Sequence, residues 1–305
     1  MISQRVQAAL VVMFVLVIAG VVAMLLMRAD SDTPAGTGPS AGSGDEPELT
    51  NEGPVGPVSL MAGDNDLVVR VTAGACDAEG GSRLELSENR GRSFHEILVP
   101  QVDDGSGVSA VSPKVRAIVF AEARSRLAMT VGAADAKCDI HRYTTSDGGV
   151  SWEQESGALE EWYLDPRTGA VVAPDGRPSD VGCSGVVALA PVRKSTAKAV
   201  CKNGTIRATT DRGDTWLVAG ELPGTSAAVF TGTLTGYAAV EKEACKSRIH
   251  VTVDGGRTWV PRGCVVEDVA IVGLAGTDGR LVAGAPSGTR LSTDGGTTWK
   301  PSTMK

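Results

Sequence analysis

The sequence predicts an all-β domain of repeated four-stranded units, preceded by one apolar segment. Three observations predict it. Aromatic residues make up only 4% of the 305 residues while glycine occurs 38 times, a balance that suits short strands joined by tight turns better than a helical bundle. From Val58 to Lys305, short apolar runs alternate with turn residues. Within that region one turn motif recurs four times in clean form and once in degenerate form.

The N-terminal segments come first. Residues 1–7 are a short polar start, and Ala8 to Met27 is an unbroken run of 20 apolar or glycine residues. As a helix this run spans about 30 Å, one bilayer core. A cleaved signal peptide would carry an apolar stretch of only about 7–15 residues and then a small-residue cleavage site, whereas here Met27-Arg28 follows. The expectation is an uncleaved single-pass anchor. Arg5 and Arg28 flank it nearly evenly, so the basic flanks do not orient it. The six cysteines, even in number and all beyond residue 75, suit an oxidising compartment. That places the N-terminus in the cytoplasm and the bulk of the chain outside. Residues 28–57 are acidic and rich in Gly, Pro and Ser. They cannot bury enough apolar surface to offset chain entropy and read as a disordered tether. The net charge of −7 argues against a nucleic-acid partner.

The repeats are Ser146-Asp147-Gly148-Gly149-Val150-Ser151-Trp152, Thr209-Thr210-Asp211-Arg212-Gly213-Asp214-Thr215-Trp216, Thr252-Val253-Asp254-Gly255-Gly256-Arg257-Thr258-Trp259 and Ser292-Thr293-Asp294-Gly295-Gly296-Thr297-Thr298-Trp299. The degenerate copy, Ser87-Glu88-Asn89-Arg90-Gly91-Arg92-Ser93-Phe94, has Asn for Asp and Phe for Trp. Glycine supplies positive φ in a tight turn. Asp and the leading Ser or Thr accept hydrogen bonds from turn N–H groups, and Trp packs across the hairpin and between neighbouring repeat units. This use explains every motif position, so the aspartates read as turn staples rather than as catalytic groups or calcium ligands.

The pattern resembles the Asp box, also called the bacterial neuraminidase repeat. The resemblance implies a β-propeller in which each box joins the third and fourth strands of a blade. Positions 89, 147, 211, 254 and 294 are spaced 58, 64, 43 and 40 apart. About 40–45 residues make one blade, so the longer intervals imply inserts or one hidden blade. The expectation is five recognisable blades with room for a sixth. In such a fold the loops after second strands and the blade-to-blade connections share one face, the usual ligand face, while the boxes line the opposite edge. Cys76, Cys138, Cys201 and Cys245 fall near the ends of second strands, and Cys183 and Cys264 in blade connections. All six are thereby expected on one face. Cys183 with Cys201 and Cys245 with Cys264 are the natural pairs within blades, leaving Cys76 with Cys138 across blades, although spacing alone does not fix connectivity. No CxxC occurs and His95, His141 and His250 are scattered, so no metal or cofactor is expected.

The long connection 155–182 holds Glu160, Glu161, Trp162, Tyr163 and Asp165, and Trp162 is the one tryptophan outside a box. Two readings stand for it: a contact patch for a partner with basic residues, or aromatics packed on a blade. A sialidase-type glycoside hydrolase is the enzyme reading that the resemblance raises. It would need an Arg-Ile-Pro motif, an arginine triad and a Tyr–Glu nucleophile. The chain lacks Arg-Ile-Pro, its three tyrosines are Tyr143, Tyr163 and Tyr237, and its expected inner strands are apolar apart from Arg116. The repeat is also similar to that of the photosystem assembly-factor propellers, which act as scaffolds. The expectation is therefore a non-catalytic, membrane-anchored, extracytoplasmic scaffold that binds a protein or a glycan, with Arg116 as a further contact candidate.

Overall fold

The computed structural model describes residues 58–62, 67–76, 82–101, 115–157, 159–242, 245–266, 270–277, 279–285 and 288–304. The expected anchor and tether lie outside the described residues. No helix among the described residues is long and apolar enough to cross a membrane.

Six sheets form the six blades of an all-β propeller. Blade one contains β1 (Val58–Ala62), β2 (Val68–Thr72), β3 (Arg83–Ser87) and β4 (Ser93–Ile97). Blade two contains β5 (Ala117–Ala123), β6 (Met129–Ala134), β7 (Ile140–Thr145) and β8 (Glu153–Glu155). Blade three has three short strands, β9 (Tyr163–Leu164), β10 (Val171–Val172) and β11 (Pro178–Ser179). Blade four runs β12 (Val186–Arg193), β13 (Thr196–Cys201), β14 (Thr205–Thr209) and β15 (Leu217–Glu221). Blade five runs β16 (Thr225–Phe230), β17 (Gly236–Lys242), β18 (Cys245–Thr252) and β19 (Val260–Val266). Blade six runs β20 (Gly273–Thr277), β21 (Arg280–Ala285), β22 (Gly288–Ser292) and β23 (Lys300–Pro301). Pairing within every blade is antiparallel, and β24 (Thr303–Met304) returns to pair in parallel with the outer strand of blade one.

The segment 155–182 thus contains the hidden blade. The hairpin turn between β10 and β11, with Asp175 and Gly176, stands where a box stands elsewhere. Arg177 in it pairs with Asp214 of the next box at 3.0 Å, and the Ser179 hydroxyl donates to the Gly213 carbonyl at 2.7 Å. In place of an innermost strand, residues 159–162 run irregularly.

Alanine and valine dominate the interior because neighbouring blades approach closely there. Ala133, Ala199, Ala239 and Ala283 on the second strands, like Val71 on β2, are fully buried. The seams hold the cores. Val71, Leu84 and Val131 pack between blades one and two, Trp162, Val171, Ala199 and Trp216 between three and four, and Ile249, Leu274 and Leu281 between five and six. The seam that closes the ring also carries charge. Arg70 on β2 donates to Glu85 on β3 and to the Thr289 hydroxyl of blade six, each at 2.5 Å. Its guanidinium lies 4.9 Å from the Phe94 ring centroid. Glu85 is buried, so the pair is tolerated because both ions keep hydrogen-bonding partners.

Candidate binding face

The boxes share one geometry. The leading hydroxyl donates to the Asp carboxylate and accepts the N–H of the glycine four residues on. In the box of Asp147 these distances are 2.7 Å for Thr145 and 3.0 Å for Gly149. The remaining carboxylate oxygen accepts the hydroxyl of the Ser or Thr four residues later, at 2.6 Å from Ser151, Thr215, Thr258 and Thr298. The degenerate box keeps the scheme. Asn89 Oδ1 accepts the Ser93 N–H at 2.9 Å, and its Nδ2 donates to the Ser93 hydroxyl at 2.8 Å. Phe94 fills the Trp position in the core.

These bonds to the ionised form hold the carboxylates well below the usual range. The hydroxyl of the residue four positions on is the largest cause, and Asp211 and Asp294 are lowered to about 2. Asp147 and Asp254 shift in the same direction for the same cause. An unfolded Asp titrates near about 3.9, so the folded form ionises more readily. The stabilisation is therefore present above about pH 4 and is lost as pH falls towards about 2. We expect the melting temperature of the Asp211→Asn, Asp294→Asn double variant to depend less on pH between about 5 and 2 than that of wild type. Asn89 shows that the turn accepts the amide. An unchanged acid slope in a thermal scan would refute the staple account.

Each box also clamps the preceding blade, in keeping with the expected packing of its Trp between neighbouring blades. Trp152 Nε1 donates to the Leu98 carbonyl beyond β4 at 2.9 Å, and Trp216 Nε1 to the Ser179 hydroxyl on β11 at 2.8 Å. On β19, the Gly263 N–H donates to the Gly296 carbonyl at 2.9 Å. Trp259 and Trp299 close their own turns on Gly256 and Gly296.

Disulfides join Cys76 to Cys138, Cys183 to Cys201 and Cys245 to Cys264. The first links blades one and two, and the others each close a loop of one blade at the same face. Arg116, at the head of β5, donates to the Cys76 carbonyl at 3.0 Å and so braces this staple. Asp135 in the β6–β7 turn accepts the Lys137 and Asp139 N–H groups at 2.8 and 2.9 Å and lies 3.3 Å from His141.

The 160s lie elsewhere than expected. Trp162 is 4% exposed, packs edge to face on Trp216 with centroids 5.9 Å apart, and donates to the Arg193 carbonyl at 3.1 Å. Arg193 borders the β12–β13 turn, which belongs to the box edge: the Arg212 N–H of the Asp211 box donates to Ser195 there at 3.1 Å. Trp162 is therefore a core residue near the box edge, not an exposed group on the cysteine face, and of the two readings the packed one describes it. The acidic neighbours have partners within the chain. Glu160 pairs with Lys194, Glu161 accepts from Arg142 at 2.7 Å, and Asp165 caps its own turn through the Arg167 and Thr168 N–H groups. Tyr163 is half-buried, and burial pushes its phenol pKa up. Tyr143 and Tyr237 sit in the seam cores.

A family model, the BNR/Asp-box repeat, matches residues 290–301, the last box and its flanks. No curated protein matches the chain. Among solved structures the chain is similar to YCF48 from Cyanidioschyzon merolae, with 15% identity over 80% of this chain and 70% of that one and a TM-score of 0.32. It is similar to YCF48 bound to D1 peptide at 15% identity, over 80% of this chain and 68% of that one, with a TM-score of 0.30. It is also similar to PorZ, a surface component of the type-IX secretion system of Porphyromonas gingivalis, at 10% identity over 81% of this chain and 38% of that one, with a TM-score of 0.38. Likenesses of this size transfer no residue role. The fold, the stapled turns and the matched repeat together make the chain a six-bladed β-propeller with Asp-box repeats.

Proposed function

We propose that the chain is a non-catalytic binding scaffold, held at the membrane by Ala8–Met27, with its propeller in the extracytoplasmic space and a protein partner met on the cysteine face. The observation that carries this reading is the set of three disulfides gathered at one face of the ring. Cross-links there restrict loops that would otherwise have to be ordered on binding, which lowers the entropic cost of association. Oxidised cysteines also suit the compartment. The box aspartates, the most perturbed acids, have their oxygens engaged within their own turns, which leaves the opposite edge a structural one.

Photo-crosslinking of the intact anchored protein tests this. A photoreactive side chain at the exposed Lys202, beside the Cys201 staple, should give one discrete protein adduct, while the same group at Val150 on the box edge should give none. Turnover of a fluorogenic sialoside, or adducts from Val150 alone, would contradict the scaffold reading.

A further inference from the structure

The outer edges of the propeller blades are blunted, with one exception. A strand edge presents unpaired N–H and C=O groups, and folded proteins cover it or protect it with charge or proline. β4 is covered by β24. β8 reads Glu153-Gln154-Glu155, all exposed. β11 begins with Pro178, β19 carries Pro261 and Arg262, and β23 is Lys300-Pro301. β15 is different. It reads Leu217-Val218-Ala219-Gly220-Glu221, and among the described residues no strand pairs with its outer side. Leu217 is 72% exposed and Val218 60%. Nothing in the core accounts for two adjacent aliphatic residues held in solvent on an edge that has no proline and no charge before Glu221, its one irregularity being the bulge at Ala219.

We propose that β15 is a strand-addition site for an extended peptide segment of a partner protein, aliphatic at alternate positions and cationic at one end. The inference rests on the scaffold reading and names a surface that reading lacks. Three features support this occupant. β24 on β4 shows that an outer edge of this ring accepts an added strand. The site also adjoins the stapled face, because Glu221 pairs with Thr205 just after the Asn203-Gly204 turn, and the Leu222 N–H donates to the Gly204 carbonyl at 2.8 Å. A strand laid along β15 would therefore emerge beside the Cys201 staple. Charge decides between a foreign peptide and a second copy. Glu221 is exposed at the end of the strand, and a chain of net charge −7 repels its own copy while attracting a cationic segment. Backbone hydrogen bonds would supply affinity, and the two aliphatic side chains would supply apolar contact on the flanks.

The probe is a fluorescein-labelled peptide of alternating valine and threonine with a lysine at each end, titrated against the intact chain in detergent. Saturable anisotropy is expected, lost when alternate amides of the peptide are N-methylated and weakened at high salt. Leu217→Lys with Val218→Lys should weaken binding at least tenfold without shifting the melting temperature by more than a few degrees, since both positions are exposed. Val260→Lys on β19 should leave binding unchanged. Equal binding by the double variant, or none by wild type, overturns the proposal. Dimerisation of the wild type in sedimentation, abolished by the same double variant, would make a second copy the occupant and overturn it too. If the Lys202 adduct persists while the peptide fails to bind, the scaffold reading stands and the edge site alone falls.

Discussion

Gly263→Ala is expected to open the seam between blades five and six and to lower the melting temperature by about 10 °C. An alanine Cβ at this position would lie 2.0 Å from the Thr297 carbonyl oxygen and 2.8 Å from that of Gly296. Both contacts are backbone atoms of the last box, so no side-chain rotation relieves them. The box must move away, and the bond from the Gly263 N–H to Gly296 goes with it. Overpacking of this kind costs about 1–3 kcal/mol, and losing a buried hydrogen bond adds about 1 kcal/mol or more. In a domain of this size each kcal/mol lowers the midpoint by about 2–4 °C. Gly220→Ala should behave alike, because its Cβ would lie 2.0 Å from the Gly256 carbonyl oxygen. Neither glycine has positive φ, so close approach of the next blade is what demands glycine. A thermal melt within about 2 °C of wild type for both variants would show that the boxes do not clamp their neighbours.

Trp162→Ala should have an effect of similar size. The ring is buried between blades three and four, meets Trp216 edge to face, and holds the Arg193 carbonyl. Truncating a buried aromatic costs about 3–5 kcal/mol, and here a carbonyl also loses its donor. We expect a fall of about 10 °C in the melting temperature, with Trp162→Phe intermediate. A variant that melts like wild type yet forms no Lys202 adduct would restore Trp162 to the contact surface.

The blades with boxes were legible because each box repeats a turn whose every position has a local reason. Blade three was hidden for the opposite reason. Its turn keeps Asp175 and Gly176 but has no Trp, its three strands Tyr163–Leu164, Val171–Val172 and Pro178–Ser179 are only two residues each, and no innermost strand forms among the described residues. Hydrophobic alternation cannot register in strands that short. The same gap misplaced Trp162, which looked unclaimed because its blade was unseen. The interval of 58 between positions 89 and 147 has a different origin, since it spans residues 102–114, outside the described residues. The clamping glycines did leave a trace. Gly220 and Gly263 each stand four residues after a box tryptophan, and that shared offset points to a common neighbour. Contacts between residues far apart in sequence leave no such trace, so the Arg70–Thr289 bond across the closing seam had no local signature.

The central claim is a propeller whose binding face is stapled in an oxidising compartment. Intact-mass analysis after alkylation under denaturing, non-reducing conditions tests it most directly, on protein isolated from its native membrane. The account predicts that none of the six cysteines is labelled until reductant is added. Six labelled cysteines would place the domain in a reducing compartment and contradict both the staples and the topology built on them.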